Sequence, residues 1–577
     1  MSPVKRVADV LVETLVGAGV RRVYGVSGDS LNGITDSIRR NESVRWVHVR
    51  HEEVAAFAAG AEAHLTGELV ACAGSCGPGN LHLINGLYDC HRSRVPVVAI
   101  AAQIPSSEIG SNYFQETDPK YLFAQCSHYC ELVSNPEQMP RVLETAIQTA
   151  RSLRGVSVVV IPGDVALGGA AEPARQHIPE PRTMARPSDA ELIKLAGALD
   201  AASKVTILGG AGCAGAHDEL IQLAAKLRAP IVHAMRGKEF IEYDNPFDVG
   251  MTGLLGFSSG YHAMMACDFL LMLGTDFPYR NFYPEKATVA QIDLRGEQLG
   301  RRTRVDHGLV GDIKTTLQAL LPRLGQKEND EHLRASLEHY RKTHKRLEEL
   351  AGDDAQGGRV HPQYVARVLD EECAADTIFS CDVGTPTIWA ARYLRMNGQR
   401  RLMGSFNHGS MANALPQAIG AQASHPGRQV VSMSGDGGLA MLMGDLLTLR
   451  QHELPVKVVV FRNEALAFVE LEMKAAGIVD FTTGLKNPSF ARIAEGSGML
   501  GLTAERPDQV RPMIRQALDH DGPSLVEVLV HRQELSMPPA ITFEQMKGFS
   551  LFALKAVISG RGDELVDLAK VNLFRSA

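Results

Sequence analysis

No apolar run in the sequence is long enough to span a bilayer: Val95 to Ala102 falls well short of the roughly 20 residues that a crossing helix needs. Anything membranous about the protein must therefore be peripheral. The first twenty residues do not read as a signal peptide, because Asp9 and Glu13 interrupt their apolar pattern. There is no excess of basic charge. The 59 Lys and Arg stand against 66 Asp and Glu, for a formal net charge of −7, so the electrostatic footprint of a nucleic-acid binder is missing. The basic clusters Arg301 to Arg304 and His344 to Arg346 read as solvated faces. There is no CxxC pair and no internal repeat or low-complexity tract. The nine cysteines are odd in number and lie mostly in apolar surroundings, which fits reduced thiols better than a disulfide framework. Cys126-Ser-His128-Tyr-Cys130 lacks the second ligand pair of a zinc site and reads as core.

The chain has 577 residues, with 45% apolar and 22% charged residues, enough for about three globular domains. Strand and helix patterns alternate throughout, predicting an α/β architecture of mainly parallel sheets flanked by helices. The first domain, residues 1–180, opens with a helical pattern from Val4 to Gly17. Strands at Arg22 to Gly25, Glu68 to Ala73, Arg94 to Ala102 and Val156 to Ile161 follow. Its turn Gly74 to Asn80 is rich in glycines that tolerate close approach of another group. Residues Ala166 to Pro187 form a linker of Ala, Gly and Pro.

The second domain, 187–326, opens with strand Val205 to Leu208 and then Gly210-Ala-Gly212-Cys-Ala-Gly215, a G-x-G-x-x-G match. After the next strand, Pro230 to His233, the sequence continues Ala234-Met235-Arg236. The acid that would hold an NAD ribose is missing there. The further turns Gly250-Met251-Thr252-Gly253 and Gly274-Thr275-Asp276-Phe277, with the strand end at Asp293, suit an extended cofactor such as FAD. Three ordinary Rossmann-like turns remain the alternative. A charged helical run, Glu328 to Leu350, leads to the third domain, 360–530.

In that domain strand Gln429 to Ser434 delivers Gly435-Asp436-Gly437, a helix is expected from Gly438 to Gln451, and strand Val456 to Phe461 returns Asn463. A strand-to-helix turn with flanking glycines is an anion site. Asp436 and the Asn463 amide oxygen supply hard ligands for a Mg²⁺ that also binds phosphate oxygens. Asn407 to Asn413 is a small-residue loop before an Ala-rich helix. The tail, 531–577, is apolar from Phe549 to Ile558, and Leu565, Leu568, Ala569 and Leu573 share one helical side.

Asp436 and Asn463 in this context resemble the diphosphate motif of thiamine diphosphate enzymes. With Gly28 to Asn32, Arg50-His51-Glu52-Glu53, Gly74 to Asn80, Tyr113 to Glu116, Arg236 to Lys238, Gly250 to Gly253 and Asn407 to Asn413, the whole chain resembles the pyruvate oxidase and acetolactate synthase family, within it the quinone-reducing bacterial pyruvate dehydrogenases. The resemblance implies three α/β domains and a homodimer or tetramer, with thiamine diphosphate and Mg²⁺ held between subunits and FAD in the central domain. It implies that pyruvate is oxidatively decarboxylated to acetate and carbon dioxide, with electrons passing through FAD to a membrane quinone.

Glu52 then matches the glutamate on the aminopyrimidine ring, which needs a buried, protonatable carboxyl. Gly409, Ser410 and Met411 match the loop that receives and props that ring. Phe114 and Gln115 match substrate-side residues, while Val383, Phe468 and Glu472 match the lining of the thiazolium pocket. The tail would contact lipid, placing the protein on the inner face of the cell membrane. Arg462, Glu464 and Ala467 depart from the family's usual residues. Alternatives are a carboligase of the acetolactate synthase kind, an oxidase that uses oxygen and phosphate, and a paralogue without catalysis whose metal site Arg462 has disabled.

Overall fold

The computed structural model describes residues 5–175, 177–179, 184–352, 358–532, 534, 551–556, 565, 568, 571 and 572. The apolar runs become three parallel six-stranded sheets, each clad by helices on both faces. Strands β1 (Arg22–Gly25), β2 (Arg45–His48), β3 (Val70–Gly74), β4 (Val97–Gln103), β5 (Tyr129–Leu132) and β6 (Val156–Pro162) pair in the order β2-β1-β3-β4-β6-β5. Every residue of β4 is buried, which is why it reads as a continuous apolar run instead of an alternation.

The second sheet comprises β7 (Val205–Gly209), β8 (Ile231–His233), β9 (Asp248–Met251), β10 (Phe269–Leu273), β11 (Thr288–Asp293) and β12 (His307–Val310), in the order β12-β11-β10-β7-β8-β9. The third has β13 (Ile378–Cys381), β14 (Arg401–Gly404), β15 (Val430–Gly435), β16 (Lys457–Arg462), β17 (Leu500–Ala504) and β18 (Ser524–Leu529), in the order β14-β13-β15-β16-β18-β17. The first and third sheets thus share one strand order, a repeat of topology that the sequence does not display. Parallel sheets ask only for apolar strands and crossover helices, so the order can recur without residue identity.

Each sheet has a central point where the winding direction reverses, between β1 and β3, between β7 and β10, and between β13 and β15; the first and third sheets turn back once more at their edges, from β5 to β6 and from β17 to β18. The loops leaving the carboxyl ends of such a pair diverge to opposite faces and leave a crevice, where open α/β sheets bind ligands. Those loops are Gly25 to Asn32 with Gly74 to Asn80, Gly210 to Gly215 with Gly274 to Phe277, and Cys381 to Thr385 with Gly435 to Gly438.

Packing joins the outer two domains. Helix Glu52–Thr66 lies against helix Ala414–Ser424 so closely that a Cβ on Gly420 would overlap the Ala58 main chain. One apolar cluster runs through Val54, Ala55, Leu83, Leu415, Ala418 and Leu446. Cys126 belongs to this core, its Sγ 3.6 Å from the Phe123 carbonyl.

Two expectations shift for physical reasons. The strand expected from Arg94 starts at Val97, because Arg94 caps the preceding helix with φ 59°. The helix expected from Gly438 to Gln451 is instead Asp436–Leu442 and Leu446–Gln451, joined by the turn Met443–Asp445. There the Asp445 carboxylate accepts from the Arg50 N–H of the first domain at 2.9 Å and from Thr448 Oγ1 at 2.7 Å. A tertiary bond overrides local helix propensity. Among the described residues no helix is long and apolar enough to cross a membrane. Most of the tail, including Pro538 to Ser550, Ala569 and Leu573, lies outside the described residues.

Candidate active site

The third-domain crevice is built around Asp436, the first residue of a helix of seven. With so short a helix the macrodipole contributes little, and the loops' own N–H groups do the work. Asp436 is buried; its Oδ2 accepts from Glu464 N at 2.8 Å and Asn487 Nδ2 at 3.1 Å, and its Oδ1 from Gly437 N at 3.0 Å. Burial pushes its carboxyl above the usual range, opposed by these donors. Asn463 is also buried, with Oδ1 3.0 Å from Ala465 N. A buried carboxylate and a carboxamide, with no cationic side chain among the described residues donating to either, make a donor set for a hard cation.

Asp382 ties this crevice together. Its Oδ1 accepts from Ala414 N at 3.0 Å and its Oδ2 from Gly435 N at 3.2 Å, so one side chain holds the loops after β13 and β15. Burial pushes its carboxyl up to about 7. A Cβ on Gly438 would strike it, so only glycine fits there. The loop Asn407 to Asn413 turns through two left-handed residues, Gly409 (φ 83°) and Ala412 (φ 63°). Met411 Cε would lie 3.5 Å from a Cβ on Gly437, placing Met411 over the Gly435 to Gly437 turn. Ser410 is committed internally, donating to the Met411 carbonyl at 2.9 Å and accepting from Asn85 Nδ2 at 2.9 Å. Val383 N donates to Asn413 Oδ1 at 3.3 Å. Phe468 packs against the third-domain core, whereas Glu472 is exposed and within electrostatic reach of Tyr279 in the second domain. Both lie on helix Ala467–Ala475.

In the first-domain crevice Glu52 is 7% exposed and opens helix Glu52–Thr66, which His51 caps by accepting from Glu53 N at 3.2 Å. Glu52 Oε2 is 2.9 Å from His82 Nδ1, and the His82 ring stacks on His51 with centroids 4.3 Å apart. A Cβ on Gly79 would sit 3.0 Å from Glu52 Oε1, so the glycine turn keeps that oxygen approachable. Gln115 lies beside this turn with φ 63°, accepting from Cys76 Sγ at 3.3 Å. Phe114 is 78% exposed. Glu52, His82 and Gln115 thus gather at one crevice, and Met411, Asp436 and Asn463 at another. Asn85 bridges the two regions through Glu53 Oε1 at 2.7 Å, Ser410 and His408 Nε2 at 2.8 Å.

In the second domain Gly250, Gly253 and Gly274 all have positive φ. Two glycines of the G-x-G-x-x-G run are explained by packing alone. A Cβ on Gly210 or Gly212 would come within 2.6 Å of Gly274 main-chain atoms. Thr252 is buried, and its Oγ1 has no hydrogen-bond partner among the described residues. Asp293 is buried at the end of β11, its carboxyl pushed up to about 6 by burial and accepting from Arg295 N at 3.0 Å. Thr275 and Phe277 are buried beside it in the same crevice, and the Asp276 carbonyl accepts from Arg302 Nε at 3.1 Å. Arg295 Nε also lies 3.4 Å from Asp293 Oδ1, so the Thr252 hydroxyl is the group in this crevice that lacks a polar partner among the described residues.

The domains also meet at Glu239. Its Oε2 accepts from Arg401 Nε at 2.7 Å and Leu402 N at 3.1 Å, and its Oε1 lies 3.3 Å from His64 Nε2. Burial alone would raise this carboxyl, but the bonds from His64 and Arg401 hold it down at about 2. Burial also lowers the pKa of His64, opposed by its contact with Glu239. A carboxyl depressed in the folded state stabilises fully above its ordinary pKa and loses that contribution as pH falls through the folded value. Glu239→Gln should therefore cost on the order of 3–5 kcal/mol at pH 7, with the difference from wild type shrinking from pH 4.5 toward pH 2. Parallel stability curves over that range would remove Glu239 as the junction's anchor.

His82, Asn85, Asp382, Glu239 and Asn487 are the functional candidates that sequence reasoning missed or left without a role. Asp382 had a signal, since it leaves its strand as Asp436 does. Asn487 had none.

Models of the thiamine pyrophosphate enzyme match along the chain: the N-terminal TPP binding domain at residues 5–122, the central domain at 192–320, and the C-terminal TPP binding domain at 382–528. The putative thiamine pyrophosphate-containing protein YdaP of Bacillus subtilis is 36% identical over 569 residues, 98% of either chain. The pyruvate oxidase of Lactiplantibacillus plantarum is 30% identical over 90% of this chain and 88% of its own. The acetolactate synthase isozyme 2 large subunit of Escherichia coli is 30% identical over 92% and 96%.

Proposed function

The chain belongs to the thiamine pyrophosphate enzymes, and from that premise we propose that it oxidatively decarboxylates pyruvate to acetate and carbon dioxide, with electrons leaving through FAD to a membrane quinone. When bound, thiamine diphosphate supplies an electron sink for decarboxylation and FAD accepts two electrons. The observation that carries the redox reading is the second-domain crevice. Its orphaned Thr252 hydroxyl and buried Asp293 suit a hydroxyl-rich cofactor, and Gly250, Gly253, Gly274, Thr275, Asp276 and Phe277 line the turns that would hold it.

The chain's own residues have distinct tasks. Asp436 and Asn463 would hold Mg²⁺ with diphosphate oxygens, and Asp382 keeps their loops in register. Met411 would support the cofactor from the Gly409 to Met411 loop. Glu52 holds and moves the proton: His82 occupies Oε2, which leaves Oε1 beside Gly79 for a ring nitrogen. Phe114, so exposed in a single chain, would be covered by a second copy that completes the site, with Gln115 facing pyruvate. Val383 and Glu472 are proposed at the same junction, with Phe468 supporting it from the core.

Product analysis under anaerobic turnover with a soluble quinone tests the reading. Acetate and carbon dioxide in equal amounts, matched by quinone reduced, are expected. Acetolactate with the quinone untouched would favour carboligation, and peroxide with acetyl phosphate in aerated phosphate buffer would favour an oxidase. We further propose that the tail binds lipid, which would place the protein at the inner face of the cell membrane. Deleting Gly548 to Ala577 should abolish sedimentation with anionic vesicles while flavin binding persists. Undiminished sedimentation would assign the tail a purely structural role.

A further inference from the structure

The carboxylate of Asp436 is held by two segments from beyond β16, namely the Glu464 N–H and the Asn487 carboxamide, both on Oδ2. Among the described residues, Oδ1 accepts from the Gly437 N–H at 3.0 Å. Glu464 reaches Asp436 with φ 58°, a left-handed conformation that a side chain disfavours. Such a conformation persists only where the surroundings over-determine it, and here Arg462 and Arg359 hold the Glu464 carboxylate while Leu485 N donates to its carbonyl at 2.8 Å.

Arg462 stands next to Asn463, where its charge would oppose a metal ion. The fork turns the other way. NH1 donates to Glu527 Oε1 at 2.6 Å, and NH2 to Glu464 Oε1 at 2.9 Å and to the Asn487 carbonyl at 3.0 Å. Arg359 NH2 secures the other Glu464 oxygen at 3.0 Å. Glu527 is wholly buried, and its Oε2 accepts from Ser489 Oγ at 2.9 Å and Ala491 N at 3.3 Å, where helix Phe490–Gly496 begins. Two carboxylates therefore neutralise Arg462, and its planar fork ties together both segments that reach Asp436. A lysine could not make these three bonds in one plane.

We infer that Asn487 and Arg462 are positioning residues of the magnesium site: Arg462 fixes the Glu464 and Asn487 segments, and Asn487 with the Glu464 N–H orients Asp436 for the cation. This rests on the reading of Asp436 as a magnesium ligand. It also argues against the alternative in which Arg462 has disabled the site.

The test is calorimetric titration of Mg²⁺ into the full-length protein in saturating thiamine diphosphate, alongside the unfolding temperature of the metal-free protein. Asn487→Ala should lower Mg²⁺ affinity about 10–100-fold with the metal-free unfolding temperature unchanged. Arg462→Lys, which keeps the charge and loses the fork, should lower it as well. Wild-type affinity in Asn487→Ala would overturn the role of Asn487. Unchanged affinity in Arg462→Lys, or tighter binding in Arg462→Gln, would overturn the role of Arg462. Absence of any Mg²⁺ heat in the wild type would instead defeat the reading of Asp436 itself.

Discussion

Glu52→Gln should leave the fold and flavin binding intact and slow reduction of the flavin by pyruvate by about 10²–10⁴-fold, the usual worth of a positioned acid–base group. The amide has the carboxylate's size and can still meet His82 at the 2.9 Å position, so packing of the helix start is kept. What is lost is an oxygen that can take and return a proton. Because Glu52 is buried, bulk water cannot easily substitute for it. Stopped-flow absorbance of the flavin measures this directly, and a rate within a fewfold of wild type would remove Glu52 from proton transfer.

Asp436→Ala should have an effect of similar size on binding. It removes the anionic ligand itself, so Mg²⁺ affinity should fall by more than the about 10–100-fold that losing a supporting partner costs. The metal-free protein should not suffer. Asp436 is a buried carboxyl whose pKa burial raises, so the cation-free fold carries a desolvation cost that alanine relieves. The unfolding temperature without ligand should then hold or rise, while the increase on adding Mg²⁺ and thiamine diphosphate together disappears. A ligand-induced increase equal to that of wild type would show that the metal sits elsewhere.

The sequence made the three α/β units legible because strands buried on both faces, such as β4 and β10, are nearly continuous apolar runs. It made the strand-to-helix turn at Asp436 legible, because glycines flank an acid where such a strand ends. Errors arose where distant residues decide local structure. The helix after Gly438 breaks because Asp445 is engaged by the main chain at Arg50. The Gly210 to Gly215 run drew attention as a cofactor fingerprint, although Gly210 and Gly212 answer to the turn at Gly274. Arg462 had no legible partner, because strand neighbours are visible in a sequence and the buried Glu527, 65 positions away, is not. Asn487 and His82 owe their places to loops and helices that meet only in the folded chain.

The most direct test of the electron path is an anaerobic flavin spectrum of the protein with Mg²⁺, thiamine diphosphate and pyruvate, followed by a soluble quinone. The account predicts that the oxidised flavin bands bleach on pyruvate and return on quinone. A flavin that stays oxidised while pyruvate is consumed would contradict it.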